Sequence, residues 1–213
     1  MLELIILFYI IYLSIKIYAA FMEIGFISKA RGLKAVILSP ANYLTAAAYK
    51  IASQKLSLVS SAFDFILFFG WITFGFSTLD FMVQSENETL RSVLFVMSFI
   101  AVNYILLLPF DLYHTFGLDK KFGFSTIDMK TFLVDQVKSI GMFILFGGAF
   151  FWAMSAIIAA YTYWWFYGFL FSFAVILFIN MIYPIVIVPL FNKLTPLEDE
   201  SLKSSIEALL EKA

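Results

Sequence analysis

Cysteine is absent from this 213-residue chain, and histidine occurs once, as His114. Without thiols there is neither a disulfide nor a thiolate metal site, although that absence fixes no compartment. A single imidazole excludes His-Glu-x-x-His, the helical pattern that sets two histidines on one face as zinc ligands beside a glutamate base. His114 alone would need two or three further ligands to hold a metal and reads as an interfacial histidine. Charge is scarce too: Asp, Glu, Lys and Arg make up 14% of residues and the net charge is −1, which offers nucleic acid no electrostatic attraction. No Gly-rich phosphate loop, nucleophile elbow, internal repeat or low-complexity tract is present.

Apolar residues reach 62% of the chain and aromatic residues 20%, with a mean hydropathy of +0.94, beyond what a soluble domain of this size carries. The excess is gathered into five runs, at residues 2–22, 58–79, 90–113, 139–160 and 166–188. Each approaches the roughly 20 residues that a helix needs to cross a bilayer. The fold class follows: all-α, a polytopic membrane protein with five transmembrane helices, short interfacial helices and an amphipathic C-terminal helix. The first run has no basic residue ahead of it and no small-x-small site behind it, so it reads as a retained span rather than a cleaved signal.

Between the runs, Ser39-Pro40 is an N-cap followed by a first helical proline, predicting an interfacial helix to about Ser53. Its Tyr43, Ala47 and Ile51 would lie against lipid headgroups or another domain. A second short helix is expected over 126–137. The fourth run carries Gly147, Gly148, Ala149, Ala153, Ala156 and Ala160, small residues that predict close packing of one face against a neighbour. Tyr161, Tyr163, Trp164, Trp165 and Tyr167 form an aromatic belt at one membrane surface.

Lysine and arginine choose the orientation. The loops at 23–57 and 114–138 carry five and four of them, whereas the loop after the second run carries Arg91 alone and the turn after the fourth none. The N-terminus is therefore expected outside and the C-terminus in the cytoplasm.

Polar residues inside the runs are the site candidates, either lining a water-filled chamber or packing helices together. Lys16 has a stem long enough to bring its amine to the interface. Asp64 is expected to face water or to pair with a cation such as Lys16. Asn103 and Asn180 are expected to form interhelical hydrogen bonds. Asn87-Glu88-Thr89 fits a glycosylation sequon, a pattern common by chance.

The apolar character stops abruptly after Pro184 and Pro189, which are positioned to bend or end the fifth span. Asn192 and Lys193 mark the exit, and Thr195, Pro196 and Glu198 make a capping box that opens an amphipathic helix. A division at 1–191, a membrane domain, and 192–213, the start of a cytoplasmic domain cut short, is expected.

Three stretches carry a resemblance. PLFNKLTPLEDESLKSSIEAL is similar to the segment that joins the membrane region to the catalytic region in the type I CAAX prenyl proteases, membrane zinc metalloendopeptidases. Residues 38–68 resemble the first long loop and second membrane helix of that family. Residues 107–125, with PFDLYHTFGLDKKFGFS, resemble the end of its third helix and the loop after it. The resemblance implies a helical barrel around a water-filled chamber, closed on the cytoplasmic side by a protease domain that cuts peptides, CAAX peptides in eukaryotic members. It also implies zinc for the full-length enzyme; this chain has no catalytic residue and no metal ligand set of its own. The expected partners are the lipid bilayer, a separate or missing protease domain carrying His-Glu-x-x-His and, in the full enzyme, a peptide substrate. The alternative is a non-catalytic membrane scaffold or a transporter-like protein. Transport predicts broken helices, repeat symmetry and paired intramembrane charges, and copurification of a His-Glu-x-x-His polypeptide separates an enzyme part from a scaffold.

Overall fold

The computed structural model describes residues 2–32 and 39–192, with residues 204, 206, 208 and 209 beyond them. Five helices are long and apolar enough to cross a bilayer: α1 (Leu2–Ala30), α2 (Pro40–Met82), α3 (Glu88–Asp119), α4 (Met129–Ala160) and α5 (Trp164–Phe191). Among the described residues there is no strand. This is the all-α, polytopic membrane architecture expected, since only helices and closed barrels satisfy every backbone group inside lipid.

Three helix starts are fixed by side chains that accept from an orphan backbone N–H. Ser39 Oγ accepts from Asn42 N at 3.3 Å, with Pro40 just inside the helix. Asn87 Oδ1 accepts from Leu90 N at 2.9 Å, and Asp128 Oδ1 from Thr131 N at 3.0 Å. Asn87, the sequon asparagine, is thus the N-cap of α3.

The helices outrun the apolar segments. α1 continues past Met22 to Ala30, so Lys16 lies at its midpoint rather than near its inner end. The expected interfacial helix and second span are one helix, Pro40–Met82, and the short helix expected from 126 begins at Met129 and runs on into the fourth span. The cause is mutual satisfaction of polar groups between neighbours. Glu23 of α1 holds Lys50 at 3.1 Å and accepts from Gln54, both on one face of α2. The Tyr43 hydroxyl donates to the Ala30 carbonyl at 2.9 Å, so Tyr43 faces the end of α1 rather than headgroups or another domain. The exit at Asn192 has extended backbone (φ −130, ψ 137). The capping box at Thr195, and most of the helix predicted after it, lie outside the described residues.

Four wide π-turns interrupt α2 to α5, at Trp71–Gly75, Tyr113–Asp119, Phe143–Gly147 and Tyr183–Ile187. Three share a device: an aromatic opens the turn and its ring lies over the glycine four residues on. A Cβ added at Gly75 would stand 2.5 Å from the Trp71 ring, and one at Gly117 or Gly147 would stand 3.1 Å from the ring of Tyr113 or Phe143. The ring occupies the space a side chain would take, and the Phe76 N–H reaches back five residues to the Trp71 carbonyl. Pro184 lies in the fourth turn and Pro189 at the start of the next α-turn. Neither ends the helix, because a widened turn accommodates a residue without an N–H.

Within Met1–Trp152, a first compact unit, α1 to α4 zip together as successive antiparallel pairs. Tyr9 stacks on Phe68 with ring centroids 4.1 Å apart, joining α1 to α2. Phe63 meets Phe110 at 5.3 Å, Phe76 meets Phe99 at 5.5 Å, and Arg91 pairs with Asp80 at 2.6 Å, joining α2 to α3. Phe116 meets Phe132 at 5.4 Å and Tyr104 donates to Gln136, joining α3 to α4. Most large apolar side chains remain exposed, Phe81 at 80% and Phe26 at 73% among them, as expected when lipid rather than water is the solvent.

The small-residue face of α4 is only partly used. Gly147 approaches Met97 Sδ, which lies 3.6 Å from where a Cβ would be, but Gly148 faces open space and Ala149, Ala156 and Ala160 are exposed. In the second unit, from Ala153, Gly168 admits Met154 Sδ to 3.1 Å from a would-be Cβ. The belt residues Tyr161, Tyr163, Trp164, Trp165 and Tyr167 are all exposed there.

Candidate functional site

Among the described residues, the three polar candidates of the first unit, Lys16, Asp64 and Asn103, share no hydrogen bond or ion pair with one another. Lys16 and Asp64 are half-buried on α1 and α2, and among the described residues no ion pair joins them. Asn103 accepts a 3.0 Å hydrogen bond from the Trp71 indole across the α2/α3 contact and donates to the Phe99 carbonyl of its own helix at 2.7 Å. Asn180, in the second unit, is exposed and donates to the Ile176 carbonyl of its own helix at 2.8 Å.

A polar cluster that these candidates omit stands where α3 ends. Asp119 Oδ2 lies 3.2 Å from His114 Nδ1, and its Oδ1 accepts from the Tyr49 hydroxyl at 2.8 Å. The far side of the imidazole, Nε2, is 3.5 Å from Ser53 Oγ. Tyr49 and Ser53 are one turn apart on α2, so one face of that helix presents both groups. Phe122 and Phe124 close over the Tyr49 ring at 5.5 and 4.6 Å. Partners 70 residues apart along the chain leave no local spacing to read. The visible signal was a carboxylate at the end of an apolar run, beside Lys120 and Lys121.

Ser53, His114 and Asp119 follow the order of a nucleophile, base and orienting acid, but the arrangement is not one for acyl transfer. Ser53 lies in the interior of α2, where the backbone N–H groups are taken by helix carbonyls and none is left to stabilise an oxyanion. Its 3.5 Å contact is also at the outer limit for a hydrogen bond. The cluster holds helices in place. Among the described residues no three His, Asp or Glu side chains stand close enough to hold a metal ion.

Among the described residues, a shallow cleft of about 540 Å³ lies at the opposite end of the α2/α3 pair, lined by Asp80, Glu88, Arg91, Ser92, Phe95 and Val96. Its arginine is engaged by Asp80, which leaves Glu88 as the acidic group of the lining.

Comparison with known proteins assigns the architecture. Residues 31–193 match a family model described as the CAAX prenyl protease N-terminal region of five membrane helices. Curated relatives include a CAAX prenyl protease 1 homolog of Oryza sativa subsp. japonica, 36% identical over 130 residues, covering 60% of this chain and 30% of the relative. Another, from Arabidopsis thaliana, is 33% identical over 150 residues, covering 68% and 35%. The crystal structure of S. mikatae Ste24p superposes with a TM-score of 0.85 at 26% identity, covering 96% of this chain and 51% of that one. The chain spans about a third of the length of these curated relatives. With five membrane helices in the matching order and no His-Glu-x-x-His, this chain belongs to the CAAX prenyl protease family and carries its N-terminal membrane region.

Proposed function

We propose that the chain is the membrane sector of a zinc metalloendopeptidase of the CAAX prenyl protease type, forming part of a helical chamber in which peptides are cut. The observation that carries this reading is the family match over residues 31–193 in a chain whose one histidine cannot supply a zinc site. In this reading a zinc-binding His-Glu-x-x-His would have to be supplied by a segment or polypeptide other than these 213 residues. When bound there, zinc would activate water for peptide hydrolysis. This chain's own groups would wall the chamber: Lys16 and Asp64, ionisable side chains without an ion pair to each other, would be tolerated at membrane depth where they face water. The relatives' names point to prenylated C-terminal CAAX peptides as the substrate class.

The lysine-rich ends of the helices support an orientation with the N-terminus outside and Asn192 at the cytoplasmic face, where the protease domain would dock. The test is reconstitution. The purified chain, alone and coexpressed with the His-Glu-x-x-His part of the Saccharomyces cerevisiae relative, is assayed for cleavage of a prenylated peptide. The chain alone should be inactive, and the pair should cleave until a chelator is added. Chelator-sensitive cleavage by the chain alone, or none by a pair that copurifies, contradicts the proposal.

A further inference from the structure

His114 and Asp119 are five residues apart, a spacing that an α-helix would set about 140° apart around its axis, out of mutual reach. Nevertheless Nδ1 and Oδ2 lie at 3.2 Å. The wide turn Tyr113–Asp119 brings them to one side, because a turn closed over five residues returns the sixth above the first. Gly117 makes the turn possible: a Cβ there would press on the Tyr113 ring at 3.1 Å.

Asp119 is also where three elements are tied together. Its side chain takes the Tyr49 hydroxyl of α2, and its backbone carbonyl accepts from Phe124 N at 2.8 Å and Ser125 N at 3.3 Å, folding the following loop back through Gly123, whose φ is +78. The Asp119 side chain is 19% exposed, less than its histidine partner at 38%. Two lysines that follow it in sequence and one on the Tyr49 helix are directed elsewhere. Lys120 lies over the Phe116 ring at 4.8 Å, Lys121 over Phe122 at 5.9 Å, and Lys50 is held by Glu23.

We propose that the Tyr113–Asp119 turn is a conformational latch. It is closed while Asp119 bridges His114 and Tyr49. It opens when the turn relaxes to α geometry, a one-residue change of register that swings Asp119 by about 100° and frees the 120–128 loop from α2. The latch belongs to the membrane region itself and stands or falls independently of any peptidase activity.

Hydrogen exchange of the purified chain in lipid nanodiscs tests it. Tyr49→Phe should speed exchange of the amides at 113–125 by about 10-fold or more, the effect of losing one hydrogen bond to a carboxylate, and Asp119→Ala by at least as much because it also removes the His114 contact. Amides at 88–105 should not change, and the double variant should exchange no faster than Asp119→Ala. Deleting Thr115, which removes the extra residue of the turn, should give the same release. Unchanged exchange at 113–125 in both point variants, or additive effects in the double variant, overturns the latch whether or not the deletion folds.

Discussion

Replacing Asn103 by leucine raises the hydropathy of α3, so an argument from lipid solubility alone expects a more stable membrane protein. The structure argues for a loss. Asn103 Oδ1 accepts from the Trp71 indole at 3.0 Å, and the Phe99 ring meets Trp71 edge-on at 4.8 Å. Interhelical hydrogen bonds in bilayers average about 0.6 kcal/mol and reach about 1.7. A stranded half-buried donor adds to that, although the separated helices in lipid share part of the penalty. The net expectation for Asn103→Leu is a loss of about 1–2 kcal/mol, roughly a 5–30-fold fall in the folded-to-unfolded ratio. Trp71→Phe keeps an aromatic ring at the site but removes the donor together with part of the indole's packing on Phe76 and Phe99, so it should cost at least as much, and the double variant little more than Trp71→Phe. Reversible unfolding by SDS in mixed micelles, followed by circular dichroism for the four members of the cycle, yields the coupling energy. A coupling within the roughly 0.3–0.5 kcal/mol scatter of independent sites would refute the bond's role.

Gly75→Ala puts a Cβ 2.5 Å from the Trp71 ring, so the indole must move off Asn103. A loss of about 1–3 kcal/mol is expected in the same unfolding assay, and it should not add to that of Asn103→Leu. Asp128 caps α4 from an exposed position, and the hydrogen bond from Thr131 holds its carboxyl below the usual carboxylate range. A lowered folded-state pKa means that its contribution is complete above the ordinary carboxylate pKa and is lost as pH falls through the folded value. Asp128→Ala should therefore speed exchange of the Thr131 amide near neutral pH, with the difference from wild type vanishing in acid. A difference that persists unchanged in acid would contradict the capping role.

The number of helices was legible because a bilayer imposes a length and a composition, and five apolar runs meet both. Their ends were not, because Glu23, Lys50 and Gln54 satisfy one another across α1 and α2, letting helix continue where polarity suggested loop. The wide turns left a trace in retrospect, an aromatic followed four residues later by glycine at Trp71, Tyr113 and Phe143. Such a pair is unremarkable in a chain this rich in aromatics. Asn103 was legible as a polar group at mid-membrane, which must find a partner, but nothing local named Trp71. The His114 cluster stayed hidden because Tyr49 and Asp119 meet only after α2 and α3 have packed.

In the proposed arrangement a protease domain would close the chamber from the cytoplasmic side, so which ends of the helices face the cytoplasm decides it. The absence of cysteine makes this directly measurable with single reporters at Glu86→Cys, Lys121→Cys and Asn192→Cys. In sealed cells, a membrane-impermeant maleimide should label Glu86→Cys alone, and the other two only after the membrane is opened. Labelling of Lys121→Cys or Asn192→Cys from outside, with Glu86→Cys protected, would contradict the account.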